Sequence, residues 1–336
     1  PSRCWKPMRP VGGTETPMAE RYFNRPLLDL TSHARRGPTQ RLSPAEIQQI
    51  RRTVGRSPEV MVKVLSQSAS TVSHVRRHVD YVSRNGEFDL ETDDGQNLSG
   101  ADLVADWDLE VPTAGSAEKV ARGDDRAPRL VHKLVFSMPS GTSPTAVLKA
   151  VGAFTREEFA LKHRYAMALH TDEPHPHVHV IVKAVSERGV RLNIRKETLR
   201  RWRAAFATQL RAQGVDANAT ERTARGSPHQ NRKFGIYRAD QRGESTFMLQ
   251  RALAFDRDPE GARAADRAAR ARLMRSREQV ERGWLTLADA AGQEGLQDVA
   301  SQIRRFVERL PTVRTDRETT ADRSREKYFL EQARGR

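Results

Sequence analysis

Two hydrophobic periods alternate along the first two thirds of the chain. Residues 60–65 (VMVKVL) and 130–136 (LVHKLVF) are short apolar runs rich in β-branched side chains, and each predicts a strand. Residues 164–170 (RYAMALH) and 177–183 (HVHVIVK) are two more, joined by the polar, proline-bearing loop 171–176, and together they predict an antiparallel hairpin. Helical spacing separates these runs. It predicts a helix over 71–84, capped by Ser70 and ended at Gly86, and a second after Pro139–Thr142, with Ser143 as cap and Pro144 in its first turn. A third runs from Lys196 to Gln213 and stops at Gly214. Residues 88–92, followed by Asp94 and Gly95, predict a short strand and a turn, and 112–128 predicts a surface loop.

The order of these elements implies an α+β fold, a central antiparallel or mixed sheet with helices packed on it, over about residues 57–235. Residues 1–56, rich in Pro, Gly, Arg and Ser with few apolar clusters, are expected to be a mostly disordered basic extension. Beyond residue 236 the apolar spacing of Leu296, Val299, Ile303, Phe306 and Leu310 predicts a helical region to about 313, and 314–336 reads as a charged, flexible tail.

Composition narrows the function. The chain has 336 residues and a formal net charge of +15, a surplus that favours a polyanionic partner such as nucleic acid. Its single cysteine, Cys4, rules out an internal disulfide framework and thiolate-rich metal sites, so any metal sits on His, Asp or Glu. No apolar run approaches a membrane span, and no secretory leader precedes the fold, so a cytoplasmic protein without membrane insertion is expected.

The stretch 169–182 (LHTDEPHPHVHVIV) carries four of the ten histidines. His177 and His179 are two apart on a strand, so their imidazoles project from one face while Val178, Val180 and Val182 fill the other. His170 ends the partner strand and returns to the same face across the hairpin. Three convergent imidazoles with room for further ligands form the kind of site catalytic metals use. Asp172 is placed to accept a ring N–H from one of them and set its tautomer; His175 reads as structural or facing a ligand strand.

A second signal lies in the helix 71–84. Valines 72, 75, 79 and 82 define its buried stripe, and at about 100° per residue Tyr81 points far from that stripe's centre. Its helical neighbours are Arg77, His78 and Arg84, so the phenol is expected on a cationic face that attracts phosphate. A free phenol is only about 0.1 % ionised at pH 7, and surrounding positive charge favours the nucleophilic form. A phosphodiester held beside such a phenol can be cleaved by transesterification, conserving the bond's free energy in a phosphotyrosine.

Three blocks in this order resemble the HUH-type conjugative relaxases, in the class of the T-DNA border endonuclease and the broad-host-range plasmid mobilisation nucleases. Residues 78–86 (HVDYVSRNG) resemble the nucleophile motif, 136–142 (FSMPSGT) the middle DNA-contact motif and 170–180 (HTDEPHPHVHV) the metal motif. Residues 219–226 (ATERTARG) resemble the basic segment that closes the domain. The resemblance implies that Tyr81 nicks one strand at a transfer origin, leaving a 5'-phosphotyrosine and a free 3'-hydroxyl. It implies a metal on His170, His177 and His179, with Asp172 behind them. It also implies that Ser140 and Thr142, preferred over Ser137 because they lie in the turn, position the DNA beside the cut, with Arg222 and Arg225 on phosphates. One departure is that 58 residues precede the first block, whereas relaxases usually carry the tyrosine near the N-terminus.

Imidazole donors suit zinc, nickel, copper or manganese, while the family is described as using magnesium or manganese, so a divalent cation is the common expectation. Expected partners are single-stranded DNA at a transfer origin, relaxosome accessory proteins and a type IV coupling protein that reads the basic C-terminus. The basic helix around Arg195, Lys196, Arg200, Arg201 and Arg203 offers further cations, with Trp202 read as core. Two alternatives stay open: a rolling-circle replication initiator with the same chemistry, and a non-catalytic DNA-binding accessory protein with a structural metal.

Overall fold

The computed structural model describes residues 41–65, 70–107, 109, 129–226 and 244–315, with a few single positions besides. It divides into two compact units, which among the described residues comprise 58–219 and, separately, 41–57 with 220 onward. The expected loop 112–128 and most of the C-terminal tail lie outside the described residues.

The first unit is an α+β domain. Its elements are β1 (Met61–Val64), α2 (Val72–Val82), β2 (Leu90–Thr92), β3 (Asn97–Leu98), α3 (Gly100–Asp106), β4 (Val131–Ser137), α4 (Pro144–Phe159), β5 (Tyr165–His170), β6 (His177–Lys183) and α5 (Lys196–Ala212), α1 belonging to the second unit. The strands form one six-stranded sheet in the order β1-β4-β6-β5-β2-β3, every neighbouring pair antiparallel. The expected hairpin is its centre. Ser143 accepts a hydrogen bond from the Ala146 amide and Pro144 opens α4, whereas α2 is capped by Thr71 rather than Ser70. Strand β3 and helix α3 are additions to the sequence pattern: their runs are two and seven residues long, too short for a period to show.

The two faces of the sheet are covered differently. On one face, Leu134, Phe136, Val178, Val180, Val182, Tyr165 and Met167 pack against Val151 and Phe154 of α4 and Trp202 and Phe206 of α5. Trp202 is fully buried, with Phe159 and Phe154 ring centroids 5.4 and 6.1 Å away, so its core assignment is correct. On the other face, Val75, Val79 and Val82 of α2 and Leu103 and Val104 of α3 cover Val131, Ala166, Ala168 and Ile181. At the end of the sheet that carries the histidines, His170 and His179 are buried and His177 is half-buried.

The second unit is helical, with α1 (Pro44–Val54), α6 (Thr246–Arg257), α7 (Pro259–Gln293) and α8 (Gln297–Glu308). Helix α1 corrects the expectation of disorder for its residues. Ser43 and Glu46 form a capping box, Pro44 stands at the first helical position, and Ile50 is buried among Trp284, Leu287, Val299 and Ile303. Its apolar partners lie more than 200 positions along the chain, so local composition could not reveal them. Residues 220–226, expected to close the first unit, belong to the second, where Ala224 is buried and its carbonyl accepts the Trp284 indole N–H at 2.8 Å.

His132 gives this fold a measurable acid sensitivity. It is 9 % exposed on β4, donates Nε2–H to the Leu192 carbonyl at 3.2 Å, and its pKa is lowered to about 4 by burial and then by Arg129. A histidine whose folded pKa lies below its unfolded value contributes stability that is complete above about pH 6.5 and is lost as pH falls toward 4. Unfolding in urea at pH 7.5 and pH 5 is expected to show wild-type destabilisation in acid, and His132→Gln is expected to remove about 2 kcal/mol of that difference. An unchanged difference in the variant would contradict this account.

Candidate functional site

The β5–β6 ladder brings the histidines together. His170 pairs directly with His177, and Ala168 with His179, so in this antiparallel register His170, His177 and His179 emerge on one face. Their ring centroids lie 4.6 to 5.3 Å apart, and one ligand nitrogen from each falls within 4.8 Å of the others. The alternate positions, Val178 and Val180, are fully buried on the opposite face.

Backbone carbonyls decide which nitrogens are free. The Val82 carbonyl lies 2.8 Å from His170 Nε2 and the His175 carbonyl 3.0 Å from His177 Nδ1. A carbonyl only accepts, so both of these ring nitrogens carry a proton, while His170 Nδ1 faces the Arg84 guanidinium at 3.3 Å. Buried His179 has an Nδ1 with no hydrogen-bond partner among the described residues. Burial lowers the pKa of His170 and, with the neighbouring imidazoles, that of His179 to about 3. Three imidazoles that each offer a nitrogen within 4.8 Å of the others are a donor set that a divalent cation takes, so the three side chains fit a metal.

Asp172 is placed differently from expectation. Its carboxylate pairs with the Arg84 guanidinium, which also lies 3.3 Å from His170 Nδ1. The reason is local. Two of the rings, those of His170 and His177, already give an N–H to a backbone carbonyl. Arg84 and Asn85 adopt left-handed φ angles of 53° and 57°, turning the chain at the end of α2 so that the guanidinium reaches the hairpin loop. The same guanidinium sits 5.2 Å above the Tyr81 ring.

Tyr81 stands where its azimuth on α2 places it. It is 50 % exposed, on the side away from the valine stripe, and its ring centroid is 5.6 Å from that of His179 and 6.1 Å from that of His170. His78 stacks beside it at 6.2 Å. His78 was expected to add positive charge, but it is buried and its pKa is lowered to about 4, by burial first, so it is neutral near pH 7. The cationic character next to the phenol therefore comes from arginine.

The other sequence candidates divide. Ser137 pairs with His177 across β4 and β6, and the turn that follows, with Gly141 at φ 85°, places exposed Ser140 and half-buried Thr142 at the histidine end of the sheet. The Thr142 hydroxyl donates to the Pro139 carbonyl at 2.9 Å. Arg77 is exposed on α2. Arg222 and Arg225 lie in the second unit. Lys133, inside a run whose pattern predicts only a strand, lies on the histidine face of β4 and is 4 % exposed.

Comparison with known proteins gives a family match over part of the chain. Residues 111–215 match the family model described as relaxase, MobA/VirD2-like, nuclease domain, a span that holds the three histidines and Asp172 but not Tyr81. The T-DNA border endonuclease VirD2 of Rhizobium radiobacter is 26 % identical over 191 residues, which cover 50 % of this chain and 43 % of that protein. VirD2 of Agrobacterium fabrum is 23 % identical over 210 residues, 56 % of this chain and 45 % of the relative. The chain thus spans less than half the length of these relatives. A solved structure titled "Molecular Basis of Vancomycin Resistance Transfer in Staphylococcus aureus" aligns with 49 % of this chain and 99 % of its own at 13 % identity, with a TM-score of only 0.29. The matched nuclease domain and the two VirD2 proteins together support a relaxase family for this chain.

Proposed function

We propose that the chain is a metal-dependent DNA relaxase that nicks one strand at a transfer origin. The observation that carries this reading is the placement of the Tyr81 ring 5.6 and 6.1 Å from the rings of His179 and His170. A strand whose scissile phosphate lies against the three imidazoles has the phenol within reach of phosphorus.

The step is a transesterification. The Tyr81 oxygen forms a bond to phosphorus and gives its proton to solvent; the bond from phosphorus to the 3'-oxygen breaks, and that oxygen takes up a proton to become a 3'-hydroxyl. The 5' end stays on the tyrosine, and reversal reseals the strand. Arg84, 5.2 Å above the phenol ring, balances negative charge that develops around the phosphorus. Asp172, paired with Arg84, positions that guanidinium. His170, His177 and His179 would hold a divalent cation, magnesium or manganese foremost with zinc or nickel as substitutes, which would supply Lewis acidity toward the phosphate. Ser140, Thr142, Arg77, Arg222 and Arg225 contribute DNA contacts. The setting is conjugative transfer from the cytoplasm, with relaxosome accessory proteins and a type IV coupling protein as partners. Among the described residues no helix is long and apolar enough to cross a membrane.

Calorimetric titration of chelator-treated protein with manganese is expected to give one site per chain, and His179→Ala to weaken it at least about tenfold. Equal affinity in the variant would remove the histidines from the metal site. A labelled single-stranded transfer-origin oligonucleotide is expected to become covalently attached in the presence of manganese. Tyr81→Phe is expected to abolish attachment while changing affinity no more than about twofold. Attachment by the phenylalanine variant would exclude Tyr81 as nucleophile, and binding without attachment by the wild type would favour an accessory DNA-binding role.

A further inference from the structure

His78 occupies a position on α2 between its core face and its nucleophile. At about 100° per residue it lies between the arc of Val75, Val79 and Val82, which packs on the sheet, and Tyr81, from which it is about 60° away. It is 7 % exposed, and its Nε2 is buried with no hydrogen-bond partner among the described residues. An unpaired buried nitrogen is a cost to folding that a leucine would avoid. The nitrogen contributes no hydrogen bond, so what the residue offers its surroundings is the flat, rigid shape of its ring.

That ring stands in a triangle. Its centroid is 6.2 Å from that of Tyr81, with the two planes within 18° of parallel, and 6.2 Å from that of His179, edge to face at 67°. The third side, from Tyr81 to His179, is 5.6 Å at 82°. His78 thus fills the corner between the phenol and one of the three clustered imidazoles, and it reaches that corner because Val75 and Val79 hold the same helix on the sheet. The phenol needs such support. It is half exposed, and the interactions of its side chain among the described residues are with these two rings, the ring of His170 and the Arg84 guanidinium. A half-exposed tyrosine that lost a neighbouring ring would visit its other rotamers, which swing the hydroxyl away from the cluster.

We propose that His78 is a positioning residue for Tyr81: its ring, wedged between Tyr81 and His179, holds the phenol in the orientation that directs it at the histidine cluster. This rests on the reading of Tyr81 as the nucleophile. His78 acts through the phenol on which it stacks and contacts neither DNA nor cation itself. A near-parallel aromatic neighbour limits the tilt of the tyrosine ring, and the edge contact with His179 ties that neighbour to β6. The quantity it sets is the fraction of molecules poised for attack, so its loss lowers the rate of the chemical step and leaves affinity alone.

The test compares His78→Ala, His78→Leu and His78→Phe in the full chain. Single-turnover attachment of a labelled transfer-origin oligonucleotide, with manganese and saturating DNA, is expected to slow about tenfold in the alanine and leucine variants and to stay within about twofold of wild type in the phenylalanine variant, which keeps a flat ring. Affinities for the oligonucleotide and for manganese are expected to change no more than about twofold in all three. In protein labelled with 3-fluorotyrosine, without DNA or metal, the Tyr81 resonance is expected to move toward the position of the free amino acid in the alanine and leucine variants and to stay displaced in the phenylalanine variant, because a stacked ring shifts it. Wild-type attachment by the leucine variant would overturn the proposal even if the alanine variant failed to fold, and so would a folded phenylalanine variant as slow as leucine. Manganese binding weakened about tenfold in His78→Leu would overturn it too, by making the imidazole a metal ligand. A wild type that attaches no DNA would defeat the nuclease reading instead, and the fluorine shift would then decide by itself whether His78 holds the ring.

Discussion

The pairing of His170 with His177 across the β5–β6 ladder is the constraint on which the site depends. Side chains alternate along a strand, so a slip of one residue would send His177 and His179 into the core and expose Val178 and Val180. The register is held from the buried side, where these valines, Val182 and Met167 pack against α4 and α5. Hydrophobic packing on one face thus fixes the imidazoles on the other. Two carbonyls, of Val82 and His175, complete the orientation by holding one N–H each on His170 and His177.

Helix α2 brings the phenol by the same logic. Its valines anchor it over Val131, Ala166 and Ile181. With the valine arc held down, Tyr81 emerges half exposed beside the buried rings of His170 and His179. Burial does electrostatic as well as structural work here: it keeps His78 and His179 neutral near pH 7, so that positive charge beside Tyr81 resides on Arg84. Neutral donors for a cation and a permanent charge beside a phenol are thus supplied by different residues, each set by its depth in the fold.

Most of this could be read from the chain because it rests on local periodicity. The hairpin, the helix after Ser143, the burial of Trp202 and the off-core azimuth of Tyr81 each follow from a period of 2 or 3.6. What escaped depends on long-range contacts. Helix α1 needs Trp284 and Ile303 to bury Ile50, and no composition rule applied to residues 1–56 contains them. The partner of Asp172 turns on the left-handed backbone at Arg84, which follows no side-chain pattern. His78 looks charged beside two arginines in sequence, yet its neutrality is a property of depth. Lys133 escaped for the same reason: within LVHKLVF it reads as a polar interruption, and only the covering helix makes it a buried cation.

The central claim is that the phenol of Tyr81 and the three imidazoles share one point in space, and fluorine NMR of protein labelled with 3-fluorotyrosine measures it directly. The resonance that disappears in Tyr81→Phe identifies residue 81 among the five tyrosines. Substoichiometric manganese is expected to broaden that signal severely, and His179→Ala to prevent the broadening. A Tyr81 signal that stays sharp while the protein is saturated with manganese would place the cation elsewhere and contradict the account.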